Sequence, residues 1–131
     1  MPIIYLAGGF RSGWQNAVHK ALPSWEVLDP SQHNLAEPSL YTLWDLEAIR
    51  QSSYVLAYME RTNPAGYALA LEVGYAKALA KTILLVEEHD TEGRRKYFEM
   101  VRQVSDHQFD TLEAAIRYLQ ETDRGVARTL G

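Results

Sequence analysis

A chain of 131 residues with 47 % apolar and 23 % charged residues is expected to form one soluble globular domain around a single core. Its net charge of −4 and the lack of any Lys/Arg-rich face argue against a nucleic-acid binder, and the absence of cysteine excludes disulfides, thiolate metal sites and a cysteine nucleophile. Met1–Leu6 enters an apolar segment without the basic region of a signal peptide, and no segment nears the ~20 apolar residues of a membrane span, so a cytoplasmic protein is expected.

Ile3–Ala7 does not alternate with polar residues, which predicts a first strand buried on both faces and ended by Gly8-Gly9. A helix over Gly13–Leu22 follows, stopped by Pro23. Trp25–Leu28 reads as a second strand closing at Asp29-Pro30, and residues 31–38 as a loop. The next helix runs from about Ser39, a candidate N-cap, to Gln51. Tyr54–Met59 is a third strand, Arg61–Pro64 a loop, residues 65–80 an almost wholly apolar helix, and Thr82–Val86 a fourth strand. Helical patterns cover Thr91–Gln103 and Thr111–Thr122, with a fifth strand expected within Val104–Phe109. The tail, residues 123–131, has weak periodicity and is expected to be mobile. Strand–helix alternation with unalternating strands predicts an α/β fold, a parallel sheet covered by helices on both faces. Ligands of such sheets bind beyond the carboxyl ends of the strands. That rule selects the loops Gly8–Gly13, Asp29–Pro38 and Glu60–Gly66.

One carboxylate, Glu72, sits at the centre of the apolar helix. Its neighbours three and four residues away are Ala68, Leu69, Tyr75 and Ala76, and none is a cation. Lys77 lies five residues on, roughly 140° round the helix. Such an acid either pairs with a distant Arg or with backbone N–H groups, or faces a pocket with a shifted pKa. Asp45 also lacks a helical cation, because Glu47 and Arg50 can pair with each other on the outer face. Taken alone it reads first as an ordinary solvent-facing aspartate and second as a site acid.

The turn Gly8-Gly9-Phe10-Arg11-Ser12-Gly13 has the strand-to-helix context of a phosphate loop, and Asp29 lies where a dinucleotide fold keeps its ribose-binding acid. Phe10, however, occupies the place of the second glycine of that motif. The turn suits a smaller ligand, with Gly8 and Gly9 allowing close backbone approach and Phe10 offering a ring for a base. A tight turn with Phe10 in the core fits the same residues. His19, His33, His89 and His107 are too scattered to form a metal site on one element, and no nucleophile elbow surrounds Ser12. Acid–base or covalent work by paired carboxylates remains.

I-Y-L-A-G-G-F at 4–10, D-L-E-A-I-R-Q-S-S-Y-V-L-A-Y at 45–58, A-L-E-V-G-Y-A-K-A-L-A-K at 70–81 and V-S-D-H at 104–107 resemble the nucleoside 2-deoxyribosyltransferase family. The resemblance implies a flavodoxin-like (Rossmann-like) three-layer sandwich with a five-stranded parallel sheet, working without a cofactor. It also implies that Glu72 is the nucleophile, that Tyr5 orients it and that Asp45 handles the protons of departing and arriving bases. Gly8, Gly9, Phe10 and Asp29 complete the expected substrate site, with Asn63 and His107 near the sugar's 5′ end. The loop Asn63-Pro64-Ala65-Gly66 lacks the carboxylate that many transferases use at the 5′-hydroxyl, and His107 replaces an amide. The implied partners are deoxyribonucleosides, free nucleobases and further copies of the chain, the V-S-D segment completing a neighbour's pocket. No nucleic acid or membrane partner is expected. Two other activities fit the same residues. One is a 2′-deoxynucleoside 5′-monophosphate N-glycosidase using Arg11, Ser12 and His107 for phosphate; the other is a silent nucleotide-binding module with a structural Glu72.

Overall fold

The computed structural model describes residues 1–62, 66–88 and 92–130. Strand β1 (Ile3–Gly8) leads to helix α1 (Gln15–Ala21) and strand β2 (Glu26–Leu28). A short 3-10 turn at Pro30–Gln32 precedes α2 (Pro38–Gln51), β3 (Tyr54–Met59), α3 (Gly66–Ala78) and β4 (Thr82–Glu87). The chain continues through α4 (Glu92–Tyr97), α5 (Glu99–Val104), β5 (His107–Phe109) and α6 (Leu112–Leu130).

All five strands pair in parallel, in the order β2-β1-β3-β4-β5. Successive residues of a strand point to opposite faces, and both faces are covered. Ile4, Leu6, Leu56, Leu84 and Val86 pack against Val18 of α1, Leu22 just after it, and Ala115 and Leu119 of α6. Tyr5, Ala7, Val55, Ala57, Ile83 and Leu85 pack against Ile49 of α2, Leu69, Val73 and Ala76 of α3, and Val101 of α5. This double burial is why the strands carry no polar alternation. The order of the strands reverses between β1 and β3, so the loops leaving them diverge and open a crevice at the carboxyl edge.

The structure moves several element boundaries. Gly13 (φ 73°) belongs to the turn, and α1 begins at Gln15. Helix α2 starts at Pro38 with Glu37 as its N-cap. A proline at the first helical position loses no hydrogen bond and brings a helical φ, so it outcompetes Ser39, whose hydroxyl donates to Glu37 instead. The helix expected over Thr91–Gln103 is two helices, broken at Phe98 (φ −103°, ψ 9°). The break places the Phe98 ring in the core beside Val101 and leaves Tyr97 in solvent. Val104 ends α5, and β5 is confined to His107–Phe109. The tail expected to be mobile continues α6 as far as Leu130. Gln120 donates to the carbonyl of Ala21, and Ser24 to Asp123, tying α6 to the turn after α1. Among the described residues no helix is long and apolar enough to cross a membrane.

Candidate active site

A cavity of about 310 Å³ opens in the crevice. Tyr5, Leu6 and Gly8 of β1 form its floor together with Phe10, and the segment after β2 contributes Pro30, His33, Leu35 and Ala36. Tyr41 and Asp45 of α2 and Ala68 and Glu72 of α3 close the remaining wall. Two of the three loops selected by the strand-end rule therefore reach it. Asn63, in the third, lies outside the described residues.

Glu72 reaches the cavity through simple helix geometry. Helix α3 returns antiparallel to the strands, so its N-terminal half lies at their carboxyl edge, and helical side chains lean toward the N-terminus. Leu69, Val73 and Ala76 hold the helix on the sheet, and Glu72 sits among them, 8 % exposed. The hydroxyl of Tyr5, wholly buried in β1, donates to its Oε2. Burial pushes the Glu72 carboxyl up to about 7; the Tyr5 bond opposes the rise and the charge of Asp45 adds to it. Burial and the adjoining Glu72 drive the Tyr5 phenol far above its ordinary value, so it serves as a fixed donor. Among the described residues no cation pairs with this acid. The buried Arg102 is bound instead to Glu87, Glu99 and the Arg95 carbonyl.

Asp45 stands across the cavity on α2, partly buried, while Glu47 and Arg50 pair outside it at 2.5 Å as expected. Burial raises its carboxyl above the ordinary aspartate value, opposed by the hydrogen bond from His33. His33 Nε2 lies 3.3 Å from Asp45 Oδ1. Sequence reasoning passes over His33 as one of four scattered histidines. Its position in the loop after β2, which the strand-end rule selects, is the signal that could have found it.

The remaining expected site residues divide. Phe10 is 55 % exposed in the cavity wall and is no core residue. Gly8 lines the cavity, but its lack of a side chain is required by packing: a Cβ there would lie 2.8 Å from the Tyr58 carbonyl and 2.9 Å from the Trp14 ring. Gly9 is absent from the wall, and its carbonyl accepts from Trp14 Nε1 at 2.9 Å and Gln15 Nε2 at 3.0 Å. Asp29, expected to bind substrate, is 3 % exposed and outside the wall. Its Oδ2 meets His19 at 2.8 Å, and its Oδ1 accepts from the Ser31 N–H and hydroxyl, which caps the turn leading to His33. Its carboxylate is thus consumed inside the fold.

His107 lies on the other side of the sheet. It pairs in register with Leu84, which faces α1 and α6, and its Nε2 meets the Tyr118 hydroxyl at 2.9 Å. Ser12, considered for phosphate, donates to Glu60, a carboxylate 5 % exposed beneath the glycine turn.

No family model and no curated protein matches the chain. Among solved structures, a 2-deoxyribosyltransferase from Leishmania mexicana superposes with a TM-score of 0.74 at 23 % identity, over 92 % of this chain and 98 % of that one. A conserved protein from Enterococcus faecalis follows at 0.69 and 13 % identity, over 93 % and 99 %. The CMP N-glycosidase BcmB from Clostridium botulinum superposes at 0.62 and 17 % identity, over 92 % and 98 %. The five-stranded parallel α/β fold is therefore shared with these proteins, and the resemblance read from the sequence agrees with it at the level of the fold.

Proposed function

We propose that the chain exchanges the nucleobase of 2′-deoxyribonucleosides through a covalent deoxyribosyl ester on Glu72. One observation carries the reading: a buried carboxylate held by the Tyr5 hydroxyl shares a cavity with a second carboxyl group, Asp45. Breaking a glycosidic C–N bond builds an oxocarbenium-like transition state, which a carboxylate on the far face stabilises and captures. Ionised Glu72 forms a C–O bond to C1′ as the C–N bond breaks and its electron pair leaves with the base. Asp45 supplies a proton to a ring nitrogen of that base. The arriving base attacks C1′, returns its proton to Asp45 and releases Glu72, with overall retention. Tyr5 keeps one carboxylate oxygen bonded so that the other faces the sugar. Phe10 supplies a ring against the base.

The chain is read as a homo-oligomer with a shared site. His107 points away from its own cavity, so it serves the 5′ end of a substrate only in a neighbouring copy. Leu43 of α2 and Tyr67 and Leu71 of α3 support the assembly, being apolar, largely exposed and next to the cavity walls.

Hydrolysis of deoxynucleoside 5′-monophosphates is the second reading, supported by the likeness to a CMP N-glycosidase. The Glu60 carboxylate under the glycine turn disfavours it, because it places like charge beside a phosphate bound there and engages Ser12. Incubation with thymidine and free adenine tests the proposal: deoxyadenosine and thymine are the expected products. Free deoxyribose phosphate from monophosphates alone would establish the hydrolase, and no turnover of either substrate would leave a binding module with a structural Glu72.

A further inference from the structure

We propose that His33 is a positioning residue for Asp45, holding one carboxyl oxygen so that the other exchanges a proton with the base. The catalytic part of this inference rests on the reading above; the geometric part does not. The backbone N–H of Leu35 donates to His33 Nδ1 at 3.0 Å, so that nitrogen accepts and the ring hydrogen is placed on Nε2. Nε2 is the nitrogen that faces Asp45 Oδ1. Trp44, one residue before Asp45, packs against the imidazole with ring centres 4.7 Å apart and planes at 67°. The ring is therefore fixed at both nitrogens and on one face, and only 11 % of the side chain is exposed. Among the described residues Asp45 Oδ2 takes no hydrogen bond, and it remains for a ligand in the cavity.

The bond is worth more during the reaction than before it. While Asp45 holds the proton it is to donate, the contact at 3.3 Å is a long one. Once Asp45 passes its proton to the departing base, the same N–H donates to a carboxylate, and charge-assisted bonds are about twice as strong. An interaction that strengthens as charge develops lowers the barrier rather than only tightening binding. The other titratable groups around Asp45 act differently. Glu72 from α3 faces it as a second acid, Tyr5 from β1 is bound to Glu72, and Tyr41 on α2 adds a phenol to the wall. Asp29 at the end of β2 is hydrogen-bonded to His19 and Ser31. His33 is the donor that Asp45 has.

Three measurements test this. Nitrogen-15 NMR of the unsubstituted protein should show His33 unprotonated at Nδ1 and protonated at Nε2. Carbon-13 NMR should show the Asp45 carboxyl titrating higher in His33→Leu, which loses the donor, and near its original value in His33→Gln, whose amide N–H stands close to the place of Nε2–H. In turnover, His33→Leu should move the descending limb of the pH profile upward, because the Asp45–Glu72 pair keeps its last proton longer. It should also lower kcat by about tenfold on the poorest leaving bases, with His33→Gln restoring both. A proton on Nδ1, or an Asp45 titration unchanged in His33→Leu, overturns the inference. If the carboxyl titrations shift as stated but no base is exchanged, the positioning stands and the proposed activity fails. If His33→Leu does not fold, the nitrogen-15 assignment and the His33→Gln titration decide.

Discussion

The role proposed for Glu72 sets two demands against each other: a nucleophile must be ionised, and a buried group resists ionisation. Its carboxyl, pushed up to about 7 from an ordinary 4.5, marks the compromise. Because the reaction needs one acid ionised and the other protonated, activity should rise with pH as the Asp45–Glu72 pair loses its first proton and fall as it loses the last. Between the ordinary and the raised value the folded chain binds more protons than the unfolded one, so stability falls as pH rises across that window. Glu72→Gln removes the ionisation, and it should abolish base exchange while stabilising the fold at pH 8 by on the order of 3 kcal/mol, since each tenfold change in proton affinity is worth ~1.4 kcal/mol. Urea unfolding at pH 5 and pH 8 measures the second effect, and a variant that is no steadier than the parent at pH 8 contradicts the burial argument. Tyr5→Phe deletes one hydrogen bond to a charged acceptor, worth ~1.5–3 kcal/mol, and should slow turnover by about ten- to hundredfold without stopping it. Asp45→Asn keeps the shape but cannot transfer a proton, so bases that leave poorly should suffer most; an equal loss on every base would remove Asp45 from the proton path.

At the scale of elements, the glycine turn and the segment after β2 are built by different means. Gly8 is wedged between the Tyr58 carbonyl and the Trp14 ring, so Gly8→Ala forces the sheet and α1 apart. A loss of ~1–3 kcal/mol is expected from overpacking of this kind, read as a lowered urea midpoint. Asp29 organises the turn at Pro30–Gln32 and carries no wall of the cavity. Asp29→Ala should accordingly cost ~0.5–2 kcal/mol of stability through the lost cap. A raised KM for the nucleoside with unchanged stability would instead restore Asp29 to the substrate site. The broken helix at Phe98 and the extended α6 follow the same principle. Periodicity suggests where helices run; packing of Phe98 beside Val101 accompanies the break, and the contacts of Gln120 with Ala21 and of Asp123 with Ser24 tie α6 to the fold.

For the whole molecule, the reversal of strand order between β1 and β3 makes the crevice, and the two cores on either side of the sheet hold it open. His107 belongs to the α1/α6 side and Glu72 to the α3 side, so one chain cannot bring them together. If a shared site exists, mixing inactive Glu72→Ala chains with His107→Ala chains should rebuild some complete pockets and recover activity. No recovery after demonstrated subunit exchange, or full activity in a monomer by light scattering, rules the shared site out.

The parallel sheet, its five strands and the isolation of Glu72 were legible in the residue pattern, because doubly buried strands and an apolar helix with no cation near its acid leave local marks. The partner of that acid was not legible from the helix: Tyr5 is 67 residues away, and only the resemblance to known enzymes named it. Tertiary structure alone decided that His33 faces Asp45, that Asp29 is consumed by His19 and Ser31, and that His107 lies across the sheet from the cavity. Each of these depends on where a loop or strand face points after packing. The physical reason is common to all three: a side chain's chemistry is written in its own residue, but its partner is chosen by the fold.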